Sequence, residues 1–471
     1  MSAPNAATLN LQGRGQILWQ ARWGSYCAGL DELFPIAAVL CVDDSRANDA
    51  IAHERGIRFL SADRRTGRRV GSSEGVFDTA FELLRPEIDD LLAETADGWT
   101  VVSPVPCRAL PAHARARGAA VCCVDHELAA QLNDKRFFLG ALPGIGIPAT
   151  PGRWLQLTSA RYHALAKELG TAFFLQLPHG TSGSGTAFVS SESDLVAACA
   201  RFGDATVRAS PDLGRLSLNI NGVALTRDAV AAYPSVQLDG LPCLSARRGQ
   251  YCGNDYAAVA RLPRALLHDV REQTERIGRW LSSLGFRGLY GLDFVVEERS
   301  GRALAVDLNP RWQGSTALLT QLQLMAGRLP LAAAELSWRI GLLSEADLLD
   351  HRDDYFEPVT GAVMSLRWDG AGWARVTGDV AAGIYSAEPL RYLRPGTRQA
   401  DLRPGEVLVT GGAPRAQAVV GKNPHLTRIA SRGPVVEPAT MEATPSSRVV
   451  ADALYAALDL RPIGEADGAG A

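Results

Sequence analysis

The stretch GLYGLDFVVEERSGRALAVDLNPRWQGST, residues 288–316, decides how this chain is read. Two apolar, β-branched runs flank a charged turn at Arg299–Arg302, the pattern of two neighbouring strands. Side chains alternate along a strand, so Asp307 and Asn309, two residues apart, face one side of the sheet. Asp293, near the N-terminal end of the first run, can join them. Two carboxylates and an amide oxygen, with phosphate oxygens and water, form the ligand set that Mg²⁺ prefers. Arg311 follows at once, and a planar guanidinium there suits a transferring phosphoryl group or an acyl phosphate. An ordinary hairpin would set this many polar groups among apolar strands at a cost in free energy and without a use for them.

The pairing of GLDFVV with AVDLNPRWQGST resembles the C-terminal signature of the ATP-grasp enzymes, in which an acid on one strand and acid-x-Asn-Pro-Arg on the next bind two magnesium ions. Upstream, NDKRFFLGALPGIGIPATP (133–151) is similar to the segment in which a lysine beginning a helix reaches the nucleotide phosphates. The loop HGTSGSGTA (179–187) resembles the glycine-rich flap over those phosphates. Glycine lets backbone N–H groups approach phosphate closely, and hydroxyls can add donors. The resemblance implies ATP and two Mg²⁺ (a set that Mn²⁺ also fits), with Asp293, Asp307 and Asn309 as metal ligands. It makes Arg311 and Lys135 catalytic, and Lys135, Gln176, Ser182, Gly183, Ser184, Gly185 and Asp212 the nucleotide contacts. CLSARRGQYCGNDYAAVARLP (243–263) lies where related enzymes line the acceptor side, which makes Arg247, Arg248 and Gln250 candidates for a substrate carboxylate or the γ-phosphate.

Three positions depart from the family pattern. Gln176 stands where a second lysine normally meets the α-phosphate, keeping a donor without the charge. The adenine hinge offers Asp212 as its one acid. Asp307 replaces the usual glutamate and reaches less far.

Composition narrows the alternatives. The 471 residues carry a formal charge of -3, which gives neither a nucleic-acid footprint nor a polybasic membrane patch. With no signal-peptide pattern and no apolar run of bilayer length, the expected location is the cytoplasm. The eight cysteines show no C-x-x-C spacing and read as reduced, mostly buried thiols. Of 48 basic residues only Lys135, Lys167 and Lys422 are lysines, so a lysine at the head of a helix stands out.

The expected fold is α/β, with an N-terminal parallel-sheet domain (1–128), a central ATP-grasp domain of α+β character (129–345, flap about 150–210) and a C-terminal β-rich cap ending in a helix (346–471). The pattern predicts helices over 77–94, 192–202, 264–284 and 446–459, and an exposed charged loop over 60–75. The region beyond 355 loosely resembles the caps of peptide-forming members, including pheganomycin-type peptide ligases and biotin-carboxylase-like enzymes.

The resemblance implies an ADP-forming carboxylate-amine ligase that activates an acid as its acyl phosphate and joins it to an amine, with amino acids or small peptides as substrates. Two other readings stand beside it: a carboxylase-type or other phosphoryl-transfer enzyme, and a non-catalytic ATP-binding subunit. Base rates favour a homodimer.

Overall fold

A computed structural model describes residues 15–464 apart from 68, 71–74, 95–97, 181–182, 246, 369, 371, 413 and 422–424. The predicted flap contact Ser182, like Lys422, lies outside the described residues.

Strands β1 (Gln16–Ala21), β2 (Ile36–Cys41), β3 (Arg58–Ser61), β4 (Trp99–Ser103) and β5 (Ala120–Cys123) form a sheet in the order β3-β2-β1-β4-β5 with every pairing parallel. Both faces of such a sheet need cover, hence the near-continuous apolar runs. Cover comes from α1 (Arg46–Arg55), α2 (Val76–Leu83), α3 (Arg85–Ala93) and α4 (Ala109–Ala116). The single helix expected over 77–94 breaks at Leu84, because Pro86 lacks an N–H and sits in the first turn of the next helix. The loop expected over 60–75 begins instead with a helical turn, Ala62–Thr66, capped by the Ser61 side chain. The strand order reverses between β1 and β4, and an open α/β sheet places its crevice at the carboxyl ends of the strands at such a point.

Beyond α5 (Lys135–Ala141), a small antiparallel sheet is built from β6 (Arg153–Gln156), β7 (Phe173–Gln176), β8 (Thr186–Val189) and β9 (Thr206–Pro211) in the order β6-β9-β7-β8. Two helices, α6 (Tyr162–Leu169) and α7 (Glu192–Phe202), close its own core of Leu165, Phe173, Leu175, Val189, Leu195 and Val207.

The largest sheet is antiparallel and starts at the strands of the deciding sequence. It uses β10 (Ser217–Ala224), with the short β11 (Ala229–Ala231) beside it, β12 (Ser235–Asp239), β13 (Tyr251–Asp255), β14 (Gly288–Val296), β15 (Ala303–Asn309) and β16 (Ala362–Arg367). The order β15-β14-β10-β12-β13-β16 continues through His425–Ser431, Glu406–Thr410, Gly383–Ser386 and Arg391–Arg394. The pairing of β13 with β16 carries this one sheet from the 288–309 hairpin into the C-terminal strands. Helix α8 (Arg264–Ser283) buries Leu266, Val270, Ile277 and Leu281 against it, close to the 264–284 expected. The helices Glu192–Phe202 and Pro445–Leu458 likewise match expectation.

The protein is therefore mixed α/β, with a parallel N-terminal sheet and antiparallel sheets beyond it. Among the described residues no helix is long and apolar enough to cross a membrane, and all eight cysteines are free thiols.

Candidate active site

The register of β14 on β15 sets Asp293 directly opposite Asp307, Leu292 opposite Leu308 and Gly291 opposite Asn309. Leu292, Phe294 and Leu308 are buried on the core side. Opposed residues share a face, so Asp293, Asp307 and Asn309 stand together on the other side, lining a cleft of about 1000 Å³. Burial and then the facing Asp307 push the Asp293 carboxyl well above the usual carboxylate range. Two acids held this close suit a bound divalent cation, which would remove their mutual repulsion. Among the described residues no three His, Cys, Asp or Glu side chains cluster as a metal site.

A buried amide network orients the first acid. Asn219 on β10 pairs in register with Asp293 and donates its amide to Oδ1 at 2.6 Å and to Gln313 Oε1 at 2.9 Å. Gln313 returns a bond to Asn219 Oδ1 at 3.1 Å and to the Ile220 carbonyl at 3.1 Å, and Ser315 Oγ donates to Asn219 Oδ1 at 2.6 Å. Gln313 lies so close over the strand that a Cβ at Gly291 would collide with it. Sequence reasoning missed Asn219 and Gln313, since an amide inside an apolar strand carries no charge or spacing signal.

Lys135 opens α5, behind an N-cap in which Asp134 accepts from the Arg136 N–H at 2.7 Å. Its chain is buried, its N–H donates to the Pro178 carbonyl at 3.0 Å, and its Nζ sits 2.9 Å from Asp307 Oδ1. Arg311 Nη2 donates to Asn309 Oδ1 at 3.1 Å and Nη1 to the Trp312 carbonyl at 3.0 Å. Trp312 N–H in turn meets the Pro104 carbonyl at 3.1 Å, tying this loop to the end of β4. Lys135, Asp293, Asp307, Asn309 and Arg311 thus come together from three separate segments.

Gln176, Gly183, Ser184 and Gly185 line the same cleft from the flap side. Gly183 has φ of +79°, and a side chain there would drive into the Gly249 carbonyl, so glycine is required at this approach. Arg201 on α7 holds the loop from behind, donating to the Thr186 carbonyl at 2.9 Å, to Gly183 O at 3.5 Å and to Ser184 O.

Four predicted contacts sit elsewhere. Asp212 is gripped by Arg248 through two bonds, of 2.5 and 3.0 Å. The Arg248 guanidinium also covers the rings of Phe188 and Phe174, at 4.4 and 5.3 Å. Arg247 donates to Gln250 Oε1 at 3.1 Å, and Gln250 is buried. From this loop it is Gly249 and Tyr251 that face the cleft. Arg248 instead ties the flap sheet to the loop before β13.

The sequence matches no protein-family profile and no curated protein. Solved structures do match. Carboxyaminoimidazole ribonucleotide synthase from Aspergillus clavatus, complexed with ATP, superposes with a TM-score of 0.53 at 13% identity, over 95% of this chain and 98% of that one. The biotin carboxylase domain of Hydrogenobacter thermophilus 2-oxoglutarate carboxylase gives 0.54 at 13% identity over 89% and 86%. L-amino acid ligase from Bacillus licheniformis gives 0.54 at 10% identity over 93% and 98%. At such identities the likeness is one of architecture, and that architecture, shared along nearly the whole chain, is the ATP-grasp fold.

Proposed function

We propose that this chain is an ATP-dependent, ADP-forming ligase that activates a carboxylate as its acyl phosphate and joins it to an amine, an amino acid or small peptide supplying the groups. The observation that carries this reading is the facing pair Asp293 and Asp307, with Asn309, Lys135 and Arg311 around it, in a cleft roofed by the flap glycines. The ATP and MgADP complexes of the structural neighbours support the cofactors, and the L-amino acid ligase supports an amine acceptor.

Asp293, Asp307 and Asn309 would hold magnesium, which when bound supplies charge neutralisation at the phosphoryl oxygens. Lys135, beside Asp307, is placed to contact the nucleotide phosphates. Arg311 is placed to stabilise the acyl-phosphate stage by charge-assisted hydrogen bonds. The flap offers backbone N–H groups at Gly183 and Gly185 and keeps out water that would hydrolyse the activated acid. No side chain need bond covalently to the substrate. The dimeric biotin carboxylase domain supports a homodimer.

Incubation with ATP, magnesium and pairs of amino acids tests the reading, followed by assay of ADP and mass analysis of products. ADP release dependent on both an acid and an amine is expected. Absence of ADP with every pair would contradict it, and release dependent on bicarbonate without an amine would assign carboxylase chemistry instead.

A further inference from the structure

Part of the cleft lining is built from groups that neither the metal site nor the flap employs. Arg428 and Arg367 reach it from the C-terminal strands, and Arg22 and Arg69 from the N-terminal domain. All four act electrostatically on His425, which lies among them. Arg428 is 6% exposed; its Nε donates to Ser365 Oγ at 3.3 Å and its Nη2 to Tyr251 Oη at 3.4 Å, while its guanidinium lies 4.9 Å over the Tyr26 ring. Arg69 Nη1 donates to the His425 carbonyl at 3.2 Å. Neither Arg69 nor Arg428 is ion-paired to a carboxylate among the described residues.

The acids of this wall do not balance its cations. Asp43 and Asp63 are the carboxylates that face it, and each spends an oxygen on backbone, Asp43 on the Gly24 N–H at 2.8 Å and Asp63 on the Val70 N–H at 2.7 Å. Apart from Arg22 and Arg367, which have partners of their own, Arg69 and Arg428 bring two guanidinium groups without an ion-paired carboxylate into a partly desolvated place, an arrangement that is costly unless an anion completes it.

The histidine gives an independent indication. Arg367 Nη2 lies 2.7 Å from His425 Nε2, and a guanidinium can only donate, so Nε2 accepts and the imidazole proton resides on Nδ1. That Nδ1 is buried and has no partner among the described residues. The indole N–H of Trp19, also on the cleft, is likewise a buried donor without a partner among the described residues. One buried acceptor on this wall, Asp43 Oδ2, also lacks a partner among the described residues, and the guanidinium groups with the two orphaned donors outweigh it in favour of an anion.

Its position relative to the metal ligands sets the class of ligand. Tyr251 accepts from Arg428 at its hydroxyl (3.4 Å) and from Arg367 at its carbonyl (2.8 Å), and it lines the cleft together with Asp293 and Arg311. The metal ligands and these cations therefore belong to one cleft, with Tyr26 and Tyr251 also on its lining. We propose that Arg69, Arg428 and His425 bind a second anionic group of the acid substrate, a carboxylate or phosphate remote from the carboxylate that is activated. This rests on the ligase reading and narrows its substrate to an acid bearing two anionic groups.

The test is calorimetric titration of the full chain, saturated with magnesium and a non-hydrolysable ATP analogue, with succinate, inorganic phosphate and acetate. Succinate or phosphate should bind at least about tenfold more tightly than acetate, and Arg428→Gln and Arg69→Gln should each weaken that binding by about tenfold to a hundredfold. Affinity for the ATP analogue should be unchanged in both variants, which reports an intact fold; Arg69→Gln, at a partly exposed position, serves if Arg428→Gln does not fold. Preference for phosphate identifies a phosphorylated acid, and preference for succinate a dicarboxylic one. Equal binding of all three anions, or wild-type binding in both variants, would overturn the assignment. The titration needs no turnover, so its failure is distinct from a failure to release ADP.

Discussion

Lys135 Nζ lies 2.9 Å from Asp307 Oδ1, so the cation that heads α5 rests on an acid of the β14–β15 hairpin 172 positions further along. Lys135 is therefore positioned by the same carboxylate that would hold the metal. Removing it as Lys135→Ala should weaken ATP binding by about 1.5–3 kcal/mol, the range for a charge-assisted hydrogen bond. Equilibrium binding of a fluorescent ATP analogue measures this, and unchanged affinity would place Lys135 outside the nucleotide site.

Asp307→Ala and Asn309→Ala should each abolish ATP turnover while leaving the fold intact. Neither side chain contributes to the apolar packing below the strands, where Leu292, Phe294 and Leu308 lie. ADP release should fall to background, and the thermal unfolding midpoint should move by only a few degrees, roughly a 1 kcal/mol effect. Full activity in either variant would remove that residue from the site.

Gly291→Ala should act through Gln313. The added methyl occupies the space of the Gln313 amide, so the side chain must leave its bonds to Asn219 and Ile220. Overpacking of this kind costs about 1–3 kcal/mol, readable in urea unfolding. Asn219 then loses the partner that aims it at Asp293, and Mn²⁺ affinity measured by electron paramagnetic resonance should drop in parallel. A variant with wild-type stability and wild-type Mn²⁺ affinity would show that the network has no orienting role.

Arg248→Ala should loosen the flap sheet. It removes the ion pair to Asp212 and the cover over Phe174 and Phe188, together about 1–2 kcal/mol. The expected result is a raised KM for ATP with a smaller change in kcat, and faster proteolytic cutting within 176–190. Unaltered KM and unaltered cutting would leave Arg248 without a part in flap closure.

The hairpin around 293 and 307 was legible in the sequence because alternation and the Asp-x-Asn-Pro-Arg spacing survive in one short window. Lys135 and the flap glycines were legible for similar reasons, a lone lysine at a helix start and a Gly/Ser loop between strands. What eluded sequence reading depends on contacts between distant segments. Arg248 turns away from the cleft because Asp212 and two aromatic rings, brought in by other strands, capture it. Asn219 and Gln313 are neutral and meet only through the register of β10 on β14. Arg69, placed in an expected exposed loop, reaches the cleft because the His425 strand lies beside it. The break at Leu84 could have been read from Pro86.

The proposed ligase chemistry requires Asp293, Asp307 and Asn309 to share a divalent cation with the nucleotide's terminal phosphates. Its most direct test is a crystal structure with Mn²⁺ and ADP, read by anomalous scattering. A manganese peak is expected between the two strands, with oxygens of both carboxylates at about 2.2 Å and the β-phosphate on the same ion. A peak coordinated elsewhere, or nucleotide bound with these three side chains turned away from the metal, would contradict it.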